Sequence, residues 1–143
     1  MAIVKKGSAH WSGGLKDGKG EVSTESGVLD KQPYGFRTRF EGQPGTNPEE
    51  LIGAAHAACF TMALSLMLEE AGFKADSLET TASVSLDKKD DGFAITGIEL
   101  ALSGTVSGMD EAKFKEIADK AKAGCPVSKA LSAVPISLTT TFG

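Results

Sequence analysis

Cys59 and Cys125 are the only two cysteines of a 143-residue chain, and a thiol pair is the side-chain chemistry here best suited to a redox cycle. A thiolate can take oxygen from a peroxide, and a second thiol can close the resulting sulfenic acid into a disulfide. Taken singly, Cys59 reads equally well as a small core hydrophobe. It lies in an apolar helical run, where burial raises a thiol pKa, so a reactive Cys59 needs a cation nearby. Its mid-helix position gives it no help from the helix dipole, which acts within the terminal turns. Cys125 follows Gly124 and precedes Pro126, so it can cap a short helix, a setting that lowers thiol pKa values. The plainer reading is that Gly124 and Pro126 only mark a helix break. Spacing alone is compatible with a redox pair and leaves these alternatives open.

Other candidates are weaker. His56 stands three residues before Cys59, on a neighbouring helix position. With Cys125 and His10 it could complete a Cys2His2 zinc site, but the spacing is not that of a finger. A packed or interfacial histidine is the preferred reading, and no metal or cofactor is expected. Arg37 and Arg39 alternate in a run read as a strand, which puts both on one face; a solvated face is the ordinary explanation. Glu49 and Glu50 suit the first turn of a helix. Gly18-Lys19-Gly20 lacks the spacing and following helix of a phosphate loop.

The elements that must position these residues follow from periodicity. Residues 1–45 are rich in Gly, Ser and Thr, with turns at Gly13-Gly14, Asp17-Gly18 and Gln32-Pro33-Tyr34-Gly35. Short alternating runs at Ser8–Trp11, Gly20–Thr24 and Gly35–Phe40 read as strands. Asn47-Pro48-Glu49-Glu50 is a helix start: Asn47 caps, Pro48 suits the first position, and Glu50 suits a capping box. The helix runs to Ala71, with Leu51, Ile52, Ala55, Cys59, Met62 and Leu66 as its apolar face and Gly72 as its C′ residue. Leu78–Leu86 and Phe93–Leu102 form a hairpin about Asp90-Asp91-Gly92. A second helix spans Met109–Lys122, with Phe114, Ile117, Ala118 and Ala121 on one side. Val127–Leu131 is a further helical turn and Ile136–Phe142 a last strand. The order predicts one α+β domain over residues 1–143, with antiparallel sheets, a long central helix and a second helix.

The totals bound the partners. Net charge is −4 with Lys and Arg scattered, which speaks against nucleic acid or an anionic membrane as the main partner. The first residues, Met1-Ala2-Ile3-Val4-Lys5-Lys6, have no apolar stretch of signal-peptide type. No apolar run of bilayer-spanning length is expected. Two cysteines in that context point to the cytoplasm, where static disulfides are uncommon.

Several segments together resemble one family. Ser23–Leu29, Thr38-Arg39-Phe40-Glu41-Gly42, the stretch from Gly45 through Asn47-Pro48-Glu49 to His56-Ala57-Ala58-Cys59-Phe60, and Ala123-Gly124-Cys125-Pro126-Val127-Ser128 are similar to the osmotically inducible protein C (OsmC) family. The likeness covers essentially the whole chain and is to the OsmC branch rather than to the sister branch of organic hydroperoxide resistance proteins. It implies an intertwined homodimer with active sites shared at the subunit interface. It implies a stress-linked, antioxidant thiol peroxidase that reduces organic hydroperoxides. In that pattern Cys59 is the peroxidatic cysteine, Cys125 resolves its sulfenic acid as a disulfide, and Glu49 and an arginine complete the site. Arg37 and Arg39 are the only arginines; the Thr38-Arg39-Phe40 match favours Arg39, whereas strand parity does not separate them. The reductant implied is a dithiol, such as a dihydrolipoyl group on a protein. The competing class is a non-catalytic dimeric binding or structural module with buried thiols.

In this scheme Arg39 stabilises the Cys59 thiolate and the departing alkoxide, and Glu49 holds Arg39. An apolar surround from Ile52, Phe60, Met62 and Leu66, with Tyr34, Phe36 and Phe40, favours a peroxide with an organic tail. Glu49 and Cys59 are ten positions apart on one predicted helix, roughly 15 Å along its axis. If both serve one site, Glu49 is expected from the other subunit. The small residues Gly53, Ala54, Ala55, Ala57 and Ala58 would let another helix approach.

Overall fold

A computed structural model describes residues 1–143 as two compact units, 1–51 and 52–143. In the first, strands β1 (Gly7–Ser12), β2 (Lys19–Thr24) and β3 (Gln32–Tyr34) form an antiparallel sheet in that order. Trp11 packs against Tyr34, ring centroids 5.6 Å apart, and a side chain at Gly18 or Gly20 would strike the indole. Gln32–Tyr34, expected as a turn, is thus a short edge strand, where Pro33 is tolerated. The strand expected over Gly35–Phe40 is corrected to helix α1 (Phe36–Phe40). Thr38 turns the chain there: its Oγ1 accepts from the Gly35 N–H (2.8 Å) and donates to the Gly35 carbonyl (3.0 Å). Phe36 and Phe40, which read as alternating strand residues, are equally one helical turn apart, and their rings stack at 4.9 Å.

Helix α2 (Pro48–Glu70) starts in the first unit and runs through the second. Asn47 caps it as expected, Oδ1 accepting from the Glu50 N–H at 2.8 Å. Gly72, at φ +91°, ends it: its N–H bonds to the Glu69 carbonyl (3.0 Å) and the Phe73 N–H to that of Leu68 (2.9 Å).

In the second unit, β4 (Ala75–Lys89) and β5 (Gly92–Val106) form the expected hairpin. Asp90, at φ +47°, takes the left-handed conformation that Asp tolerates better than most residues. Helix α3 (Glu111–Gly124) is capped by Asp110 and is followed by α4 (Pro126–Ala130). Strand β6 (Ile136–Phe142) runs parallel to β5, Ile136 opposite Ile98. The second sheet is therefore mixed rather than antiparallel, and there are four helices. Alternate β5 residues from Ile98 to Val106 point inward and join Phe114, Ile117, Ala118 and Ala121 of α3 in one core.

The face of α2 that packs on this core is not the expected one. Gly53, His56, Phe60, Leu64 and Leu68 are buried, while Met62 and Leu66 are 74% and 58% exposed. The helix is apolar around its whole circumference, so periodicity could not select a face. Steric fit did: a side chain at Gly53 would stand 3.1 Å from the Ala82 carbonyl, and Thr61 donates to Thr80 Oγ1 at 2.7 Å. By length and composition alone α2 could cross a membrane, at mean hydropathy 1.8 over its richest window. That corrects the expectation that no segment reaches this length, although one stripe of α2 lies in the protein core.

Candidate active site

The two cysteines meet. Cys59 comes from the middle of α2 and Cys125 from the single residue that separates α3 from α4, and their Sγ atoms are hydrogen-bonded at 2.8 Å. Both are free thiols. A disulfide needs an S–S distance of about 2.05 Å, so closure asks for less than about 1 Å of approach. Gly124 lets α3 run to its end against Met67, where a Cβ would lie 3.1 Å from its methyl carbon. Pro126 then starts the next helix. Gly-Cys-Pro is therefore a helix break that aims one thiol at another.

The two sulfurs differ electrostatically. Burial pushes the Cys59 thiol up, and its hydrogen bond with Cys125 pushes it further, against a smaller opposing pull from the Val127 N–H. For Cys125 burial also acts upward, but it is outweighed by donors: the Cys59 thiol, the N–H and hydroxyl of Ser128, and the Val127 N–H. Its pKa ends below the usual thiol value. The Val127 and Ser128 amides make no formal cap bond to the neutral thiol; they act on the thiolate. Within residues 52–143, burial and the donors at the start of α4 thus favour ionisation at Cys125 over Cys59. For Cys59 to attack first, it requires an added positive charge, as its mid-helix position already required.

The first unit holds the candidate arginine. Arg39 and Glu49 form a two-pronged ion pair, Nε to Oε1 at 2.9 Å and Nη2 to Oε2 at 2.8 Å. Glu49 is buried. Asn47 ties the two helices that carry them, donating from Nδ2 to the Thr38 carbonyl at 3.3 Å while capping α2. Arg37 reaches only Glu41, at 3.9 Å, and its side chain is 68% exposed against 35% for Arg39. The turn from strand to helix is what separates the two arginines, which a strand would have placed on one face. Both lie in residues 1–51.

His56, buried four residues before Phe60 on the inner stripe of α2, puts Nε2 2.7 Å from the Ser128 hydroxyl. Burial lowers its pKa. No group of three or more His, Cys, Asp or Glu side chains is arranged to hold a metal ion. Ser128 was not singled out by sequence reasoning. The available signal was its position, three residues after Cys125, where a capping side chain meets the backbone. A groove of about 660 Å³ beside this region is lined by Met62, Thr61 and the start of β4, but by neither cysteine.

The chain as a whole has relatives. The family model for OsmC-like proteins matches residues 40–140. The peroxiredoxin OsmC of Escherichia coli (strain K12) is 68% identical over 133 residues, 93% of each chain. The organic hydroperoxide resistance protein OhrB of Bacillus subtilis (strain 168) is 38% identical over 112 residues, 78% of this chain and 80% of the other. The crystal structure of the OhrB protein of Bacillus subtilis superposes with TM-score 0.71 at 30% identity, covering 99% of this chain and 98% of that one.

Proposed function

We propose, from the premise that this chain belongs to the OsmC-like protein family, that it is a thiol-dependent peroxidase that reduces organic hydroperoxides to alcohols. The observation that carries this is the 2.8 Å contact between two free thiols held on separate elements. The names of its relatives, a peroxiredoxin and organic hydroperoxide resistance proteins, support the same chemistry.

The Cys59 thiolate attacks the terminal oxygen of R–O–O–H; an S–O bond forms, the O–O bond breaks, and the alkoxide leaves and takes a proton. Cys59 is now a sulfenic acid. The Cys125 thiolate attacks its sulfur, an S–S bond forms, the S–O bond breaks, and hydroxide leaves as water after taking up a proton. A dithiol reductant then returns both thiols by exchange, with lipoylated protein as one candidate donor. Arg39 supplies the charge that puts the first thiolate on Cys59, and Glu49 orients its guanidinium through the paired hydrogen bonds.

The functional unit in this proposal is a homodimer in the cytoplasm. Glu49 lies in the first turn of α2 and Cys59 in its fourth, so the Arg39–Glu49 pair serves the Cys59 of the partner subunit. The outward side of α2, with Ala54, Ala55, Ala58, Met62 and Leu66 exposed in the single chain, supports a second copy of the helix packing there. In a crystal of the dimer, Glu49 more than about 10 Å from the partner's Cys59, a full screening length, sinks the shared site.

Steady-state kinetics with an organic hydroperoxide and a dithiol reductant test the reaction. Cys59→Ser is expected to abolish turnover. An undiminished rate returns the protein to the class of binding or structural modules with buried thiols.

A further inference from the structure

The peroxidase cycle uses Cys59, Cys125, Arg39 and Glu49, and leaves one buried polar pair without a task. His56 and Ser128 are both buried, at 0% and 6% exposure, and they join α2 to α4 through a 2.7 Å hydrogen bond. The ring's other nitrogen, Nδ1, is buried and has no hydrogen-bond partner. That asymmetry selects a tautomer. A buried N–H without an acceptor loses a hydrogen bond outright, so the proton belongs on Nε2, where it has Ser128 to donate to, and Nδ1 keeps its lone pair. Burial, which disfavours the charged ring, points the same way. If Nε2–H donates, the Ser128 oxygen is the acceptor, and its own proton is left to donate elsewhere. Cys125 is the N-cap of that short helix, three residues before Ser128, and its thiolate is favoured by the Ser128 hydroxyl. With His56 Nε2 donating to Ser128 Oγ, the Ser128 proton is left free for the sulfur three residues back, once Cys125 is ionised.

We propose that His56 and Ser128 are a positioning pair that locks a hydroxyl donor onto the Cys125 sulfur, and that this pair governs disulfide closure and reopening rather than attack on the peroxide. In closure, the hydroxyl holds Cys125 in the form that displaces hydroxide from the Cys59 sulfenic acid. In reopening, when the reductant's thiolate attacks Cys59 and the S–S bond breaks toward Cys125, the same hydroxyl stabilises Cys125 as the departing thiolate. No proton needs to reach the imidazole in either step; the ring is an anchor with one donor. Two observations favour this over a packing role. An aliphatic side chain would fill the inner stripe of α2 without leaving a bare buried nitrogen, and the one bond His56 makes ends on Ser128, three residues after the N-cap Cys125 in α4. This inference rests on the peroxidase reading for its kinetic half only.

The test has two arms. In the first, Cys125 is read alone in a Cys59→Ser background by the pH dependence of its alkylation with iodoacetamide. The ionisable groups around it are His56 through Ser128 from α2, Lys122 from α3, which is bonded to the Ile136 carbonyl at 3.3 Å, and Lys129 from α4. Ser128→Ala is expected to raise the alkylation midpoint by about one pH unit, the worth of one charge-assisted hydrogen bond, and Ser128→Thr to restore it. An unmoved midpoint in a folded Ser128→Ala overturns the proposal. Should that variant not fold, His56→Leu and His56→Gln decide: a raised midpoint in the first and a value near the parent's in the second support an anchoring donor, and equal midpoints refute it. In the second arm, an organic hydroperoxide is added to the otherwise unmutated protein and to Ser128→Ala. Disulfide closure is expected to slow about tenfold while sulfenic acid trapped by a 1,3-diketone rises; equal slowing of both steps counts against the proposal. If the protein consumes no hydroperoxide but Ser128→Ala shifts the midpoint, the peroxidase reading fails and the positioning pair stands.

Discussion

Arg39 and Glu49 work as one group, because both prongs of the guanidinium are committed to one carboxylate. Glu49→Gln keeps the shape but loses the charge, and Arg39→Lys keeps the charge but loses the fork. Each is expected to lower kcat/KM for an organic hydroperoxide by on the order of 10²-fold, the scale of one lost electrostatic donor, whereas Arg37→Lys leaves it within about twofold of the parent. Progress curves at limiting peroxide check all three. His56 makes a separate prediction about pH. Its folded pKa is lowered from 6.5, so below that value the unfolded chain binds a proton that the buried ring refuses. Stability is thus full above pH 6.5 and falls on acidification until the folded pKa is passed. Urea midpoints at pH 7.5 and 5.5 should fall further for the parent than for His56→Gln; parallel falls would remove His56 from the acid response. The chemistry of Cys59 and Cys125 was readable from their type, but their pairing came only through the family resemblance. Arg39 and Arg37 could not be told apart while their segment read as a strand. Ser128 was invisible because serine three residues into a helix has many ordinary reasons to be there.

Elements with a single strong signal were readable. Asn47-Pro48 and Gly72 bound α2, Asp90-Asp91 turned the hairpin, and the Phe114-Ile117-Ala118-Ala121 stripe of α3 was buried as expected. Elements carrying two signals were not. Phe36–Phe40 satisfies both periods, and the Thr38–Gly35 hydrogen bonds, with the Arg39 N–H bonded to the Gly35 carbonyl, decide for a helix. The inner face of α2 depends on where a missing side chain makes room, as at Gly53. β5 shows the same kind of dependence at Gly104, where a Cβ would meet the Phe114 ring and stand 3.0 Å from Leu78. Phe114 in turn stacks on Phe142 of β6 at 4.8 Å. Gly104→Val should therefore overpack the contact between α3 and the sheet and cost roughly 1–3 kcal/mol. A urea midpoint within error of the parent's would show that the ring simply moves aside.

For the molecule as a whole, the outward side of α2 is the unmatched feature. Met62 and Leu66 stand in solvent in the single chain, and the proposed partner helix would cover them. If the proposed dimer forms through this face, Met62→Glu is expected to shift sedimentation from dimer toward monomer and to reduce peroxidase activity in proportion, because each separated subunit would lose the arginine proposed to come from its partner. A monomer of full activity would refute the shared site. In the sequence the pairing rested on the family resemblance and on the Glu49–Cys59 separation along one helix, since one chain's sequence does not say which of its apolar faces meets a copy of itself. The placement of the thiols has a consequence for how the protein matures. Cys59 and Cys125 are 66 positions apart in the chain, and the segment carrying Cys125 is held by β6, whose residues pair with β5 across the whole α3–α4 crossover. Contacts between such distant segments form late, after the local hairpin and helices. The pair is therefore expected to form only once β6 has docked on β5, so that disulfide closure after peroxide treatment would report completed folding as well as chemistry.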